Sequence, residues 1–153
     1  MSETTRIADQ LDRAFDGDAW HGDPLMTILD GITAAQAAAR PIPNAHSIWE
    51  IVHHLVAWKT AVPIRLRGEV KEIHGAEDWP LVTDTSDAGW RNCLSDLRNS
   101  HAAFTAAVRA FPESRLNENA PARDHSYYVL LHGMVQHDLY HAGQIAILKK
   151  AVS

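Results

Sequence analysis

Cysteine occurs once in this sequence, at position 93, so no disulfide can close within the chain and a reducing compartment is expected. Basic charge is also short. Fourteen Lys and Arg stand against nineteen Asp and Glu, a formal net charge of −5, which argues against a nucleic-acid partner bound through phosphate neutralisation. No apolar run approaches the roughly 20 residues that a membrane-spanning helix needs. The opening "MSETTRIADQ" has no basic-then-apolar pattern of a secretory signal. Internal repeats, low-complexity segments and alternating strand patterns are absent too. What these absences leave is one soluble, cytoplasmic domain over residues 1–153, long enough to bury a core.

What the sequence has in excess is histidine, ten in all. His21, His74 and His125 sit among Gly, Asp and Glu in segments that read as loops, and need no special account. The informative ones fall on apolar helix faces.

Helical periodicity dominates. A first helix is expected over about 3–17, with Ile7, Leu11, Ala14 and Phe15 as its stripe. In "HGDPLMTILDGI", Asp23 reads as an N-cap and Pro24 as the first residue of a short helix. Thr33 with Gln36, and Ser47 with Glu50, are spaced as capping boxes, the second opening a long helix near Ile48 that runs to about Arg67. Pro63 predicts a kink or an early end there. A long connection leads to a third long helix from about Ser86, striped by Trp90, Leu94, Leu97, His101, Phe104, Val108 and Phe111. A last helix is expected from about Ser126 to Lys150. Four long amphipathic helices can bury their stripes only against one another, which predicts an all-α four-helix bundle. The length of the connection between its second and third helices suits a crossing of the bundle, with those two helices parallel.

Each helical residue advances about 100° around the axis. On the last helix Tyr127, Leu130, Leu131, Met134, Ile145 and Leu148 make the apolar face, and His137 and His141 fall inside it. Buried imidazoles need partners for their nitrogens. A divalent cation is one answer, since His at i and i+4 offers two nitrogens to one ion, and bonding to neighbouring side chains or water is the other. On the helix of "EIVHHLVAWK", His54 borders the stripe of Ile48, Ile51, Val52, Leu55 and Val62, whereas His53 turns towards solvent. His54 is therefore the candidate third ligand. His101 also occupies a stripe position; the readings open for it are a fourth ligand, a group around the metal, or a core histidine satisfied by its neighbours. Cys93 reads as a buried, inert thiol.

"AWHGDPLMTILDGIT", "HSIWEIVHHLVAW" and "HGMVQHDLYHAGQIAILKK" together resemble the DinB-like superfamily of metal-binding four-helix bundles over nearly the whole chain. The most specific piece is His, three residues, His, then Ala-Gly-Gln-Ile. The family's first ligand directly precedes an apolar residue, which corresponds to His54 before Leu55. The resemblance implies an up-down-down-up bundle and a divalent metal held by His54, His137 and His141. It also implies a possible homodimer. Some members use the metal for transfer reactions with low-molecular-weight thiols such as mycothiol or bacillithiol, others are isomerases, and DNA binding is not implied.

Three neutral imidazoles leave positions open on the ion, as in catalytic sites, and Zn, Ni, Fe or Co would all accept them. An open ion can acidify water or bind a thiol as thiolate, so a thiol-dependent transferase or a hydrolase acting on a small molecule is expected, with a non-catalytic metal or small-molecule binder as the alternative. Asp138 stands where HExxH peptidases carry Glu, yet reads better as a residue near the inner face that orients a ligand or pairs across the bundle. Gln144 is a candidate neighbour of the metal. Gly143, mid-helix, suggests close approach by another helix, a partner subunit or a ligand. Trp49 falls off the main stripe and adds to the expectation of a dimer.

Overall fold

A computed structural model describes residues 1–153 as six helices and no strands: α1 (Glu3–Phe15), α2 (Leu25–Leu29), α3 (Ala34–Ala38), α4 (Ile48–Leu66), α5 (Asp87–Ala110) and α6 (Tyr127–Val152). Polar caps fix where the long helices begin. Ser2, Ser47, Ser86 and Ser126 each accept the third following backbone N–H of their helix, satisfying a donor that the helix itself leaves free. The capping boxes of Thr33–Gln36 and Ser47–Glu50 both form. Asp23 is not a cap: Pro24 takes that position, without a side-chain bond, and Leu25 is the first helical residue.

α1 ends at Phe15, two residues short of the expected span. Pro63 does not end α4, which continues for almost another turn to Leu66. The stop comes from Gly68, whose φ of +88° suits a residue without Cβ. Gly68 donates its N–H to the Arg65 carbonyl and Glu69 to that of Ile64, the paired bonds of a Schellman motif.

α1 packs against α5 and α6, and α4 packs against the same two helices. α2 and α3 close one end, where α2 meets α6 and α3 meets α4 and α5. The core falls into two apolar clusters. One gathers Leu25, Trp49, Leu55, Leu97 and Ile145; the other gathers Ile7, Leu11, Phe104, Leu131 and Met134. Between these stretches of sequence lie buried polar residues on the three longest helices: Lys59 on α4, His101 on α5, and Asp138 and His141 on α6.

Trp49, expected off the stripe, is 1 % exposed and packs beside Trp90 with ring centroids 5.1 Å apart. It offers no surface to a second copy. Gly143 is exposed, and a Cβ built on it would meet nothing within 4 Å, so no other helix of this chain approaches it. Gly143→Ala is therefore expected to raise stability by about 0.5–1 kcal/mol, through reduced backbone freedom in the unfolded chain, as read from denaturant midpoints. A loss of stability instead would show that something packs on that face.

Candidate metal centre

His54, near the middle of α4, and His137 and His141, one turn apart on α6, meet where those two helices pack. One ligand atom from each lies within 4.8 Å of the others. Their ring centroids stand 4.5–4.9 Å apart. His54 and His141 are buried and His137 is half-buried. The structure thus brings together the three histidines that the helix faces single out.

Hydrogen bonds settle which nitrogens point inward. His54 Nδ1 lies 2.8 Å from the Asp78 carbonyl and 3.0 Å from its carboxylate, both acceptors only, so Nδ1 carries the proton and Nε2 keeps its lone pair. His141 Nδ1–H likewise donates to Gln144 Oε1 at 2.6 Å. A partner on the far nitrogen that fixes ring and tautomer is the usual support of a metal-bound histidine. His54 Nε2 faces His137 Nε2 at 2.9 Å. Nitrogens sharing a zinc ion at 2.0–2.1 Å in tetrahedral geometry would stand roughly 3.3 Å apart. His137 Nδ1 is buried without a partner. The donor set fits a divalent ion: neutral imidazoles, two held in the right tautomer, with lone pairs converging.

Burial, followed by the neighbouring imidazoles His141 and His54 and then Lys59, pushes the His137 pKa down to about 3. Burial also lowers that of His141, against its bond to Gln144. Both rings stay neutral, the form that binds metal.

The connection between α4 and α5 covers this site, which the sequence reading missed. Trp79 stacks on His54 with ring centroids 4.0 Å apart and on His46 at 3.6 Å. Trp58 Nε1–H donates to the Asp78 carboxylate at 2.8 Å, and its ring lies 5.6 Å from that of His137. "EDWP", an acid and an indole inside a long connection, was the available signal, because long ordered loops commonly carry function.

The other candidates separate. Gln144 touches His141 as described. Asp138 pairs across the bundle with Lys59 at 2.5 Å, the lysine side chain fully buried between the rings of Phe15 and Phe104. His101 is outside the cluster. It stacks on Phe15 and bonds Asp12 at 3.0 Å, as a core histidine with a partner. His53 is half-buried rather than solvent-facing, because its Nε2 accepts from Trp49 and its Nδ1–H reaches the Pro80 carbonyl. Cys93 is buried, and burial pushes its thiol up to about 12, which keeps it protonated.

A family model described as the DinB superfamily matches residues 19–145. No curated protein and no solved structure matches the chain.

Two outcomes follow from this geometry. In metal-free protein the unfolded His137 takes up a proton near pH 6.5 and the folded one only near pH 3. The unfolded state therefore binds more protons between those values, and stability falls as pH drops through that window, by a few kcal/mol in urea titrations. A flat profile from pH 7 to 4 would contradict the buried neutral ring. For the ion pair, Lys59→Met or Asp138→Asn alone strands a buried polar or charged partner and is expected to cost about 3–5 kcal/mol. The double variant Lys59→Met with Asp138→Leu is expected to recover most of that loss in the same assay.

Proposed function

The chain belongs to the DinB superfamily, and on that premise we propose that His54, His137 and His141 hold a divalent metal ion and that the protein is a metal-dependent enzyme acting on a small molecule. The observation that carries this reading is the convergence of three imidazole nitrogens, two of them with their opposite Nδ1–H tied to Asp78 and Gln144. Three protein ligands leave the ion open to a guest. Zn, Ni, Fe or Co all suit nitrogen ligands. When bound, the ion would supply Lewis acidity towards water or towards a low-molecular-weight thiol, the chemistry of a hydrolase or of a thiol-dependent transferase.

The chain's own residues supply the rest. Asp78 and Gln144 hold two rings in one tautomer, Trp79 and Trp58 flank the rings with aromatic surface, and the Lys59–Asp138 pair anchors α6 to α4 beside them. An up-down-down-up order is part of this reading. It is supported by the cluster positions: α4 and α5 pass from the Trp49 cluster to the Phe104 cluster along the chain, whereas α1 and α6 pass the opposite way. A cytoplasmic homodimer belongs to it as well, with Val129, Tyr140 and Ile147 exposed on α6 as the apolar surface available to a second copy. No helix is long and apolar enough to cross a membrane.

Elemental analysis of tag-free protein tests the centre. One equivalent of metal per chain is expected in the wild type. His54→Ala and His141→Ala are each expected to lose it, and His53→Ala to keep it. Absence of stoichiometric metal from wild type dialysed against each of the four ions would overturn the reading. With metal present, turnover of electrophilic substrates with or without added thiol separates enzyme from binder.

A further inference from the structure

α6 is apolar on two sides. Its inner side carries Tyr127, Leu130, Leu131, Met134, Ile145 and Leu148 into the core. On its outer side Val129, Tyr140 and Ile147 are each more than half exposed. α5 makes the ordinary choice of a surface helix and turns Arg91, Asn92, Arg98 and Arg109 outward. A helix that is apolar all round is normally covered all round, and the outer side of α6 has no cover within this chain.

The spacing of the exposed residues suits one particular cover. Val129 and Ile147 are separated by five full turns and point the same way, and Gln136 and Tyr140 fall within about 20° of that direction. The four are also symmetric about position 138, from which 129 and 147 are equidistant, as are 136 and 140. An antiparallel copy of α6 crossing at that level sets Val129 against the partner's Ile147 and Gln136 against the partner's Tyr140. The same contacts then repeat in reverse, as an isologous two-fold interface requires. Charge favours antiparallel over parallel. A parallel pair sets exposed Lys150 beside its own copy, whereas the antiparallel pair brings it to the level of the partner's Asp124, whose carboxylate is fully exposed.

Two hollows flank this stripe on its α4 side. One, of about 270 Å³, is walled by Trp58, Val129, Gly133 and His137, and the other, of about 340 Å³, by Ile42, Ile51, Gln144 and Ile147. They lie towards opposite ends of the stripe, so the two-fold sets each against its counterpart on the other copy. A Cβ on Gly133 would meet nothing within 4 Å, which leaves room in the first hollow for a side chain from outside.

We infer that two copies pair through α6, antiparallel about a two-fold axis at the level of Asp138, with the partner's Ile147 seated in the hollow beside His137 and the partner's Val129 in the hollow beside Gln144. The pairing rests on the homodimer proposed above and adds an axis, a register and a partner residue in the wall of the candidate site.

Val129→Cys and Ile147→Cys chains, purified separately, are the probes, with a maleimide cross-linker spanning about 10 Å, the distance between packed helix axes. After subunit exchange the mixture is expected to cross-link and neither variant alone, because like positions stand about 27 Å apart in this register. Wild type is the blank, since its one thiol, Cys93, is buried and held protonated. By light scattering, wild type is expected at twice the chain mass. Ile147→Glu sets a carboxylate against the partner's Val129 and Asp124, and is expected at the single-chain mass with unchanged metal content. Gly133→Leu fills the hollow without charge and is expected to raise the dimer dissociation constant at least about tenfold. Each substitution falls at an exposed or open position, which spares the core. Cross-linking within either variant alone, or a dimer unmoved by Ile147→Glu, overturns this pairing and leaves the homodimer to another face. A dissociation constant unmoved by Gly133→Leu overturns the seating of Ile147. A monomeric wild type carrying full metal overturns pairing and homodimer together and leaves the three-histidine reading standing. The pairing upheld in protein that takes up no metal removes that reading alone.

Discussion

Two imidazole nitrogens 2.9 Å apart, one on a buried ring and one on a half-buried ring, form the constraint around which the middle of this protein is arranged. With its Nδ1–H committed to Asp78, a neutral His54 ring presents the lone pair of Nε2 to the cluster. If His137 Nε2 carries the proton between them, His137 Nδ1 is left as a buried lone pair with no donor. A shared cation would give both Nε2 lone pairs a partner, and the third, on His141, as well, with the His137 proton then on its buried Nδ1. Charging His137 is no substitute, because burial and the neighbouring imidazoles hold that ring neutral down to about pH 3.

Placing those rings is a matter of helix register. The Ser47–Glu50 box starts α4 at Ile48 and the Ser126 cap starts α6 at Tyr127, so the rotation of every later residue is fixed by polar side chains a turn or more away from the site. The Lys59–Asp138 pair then locks one helix against the other. Asp138 lies between the two histidines of α6, and Lys59 lies five residues beyond His54, so sliding either helix by a turn would break a buried ion pair before it moved the rings. A buried pair of this kind adds little net stability but specifies one alignment over its neighbours.

The site was legible where periodicity alone decides position. His54, His137 and His141 could be placed on inward faces because their neighbours at three and four residues are apolar, and the caps of α3, α4, α5 and α6 announce themselves in Thr and Ser at fixed offsets. Trp49 misled because face arithmetic assumes one buried side, whereas the first turn of α4 is covered on several, by Trp90 and by the short α3. Pro63 brings no early end, because a proline forfeits one hydrogen bond without forbidding the helix beyond it; α4 reaches Leu66, close to the expected Arg67, and Gly68 is the residue whose conformation stops the chain. Asp78 and Trp79 were invisible for a different reason. They act across about two dozen residues of irregular connection, and no local rule says which loop residue returns to which helix.

The two buried cations of α4 show how position along one helix changes what the same charge does. Lys59 faces α6 at the level of Asp138 and is enclosed by Phe15 and Phe104, so its charge is spent inside the fold. Arg65 lies six residues further, a little under two turns, and meets an indole, a backbone carbonyl and another arginine's ion pair. Its Nε–H holds the Lys71 carbonyl at 2.8 Å, a bond that an apolar side chain stacked on Trp58 would not make. The same charge thus locks two helices together at one level of α4 and ties the end of that helix to the following connection at another.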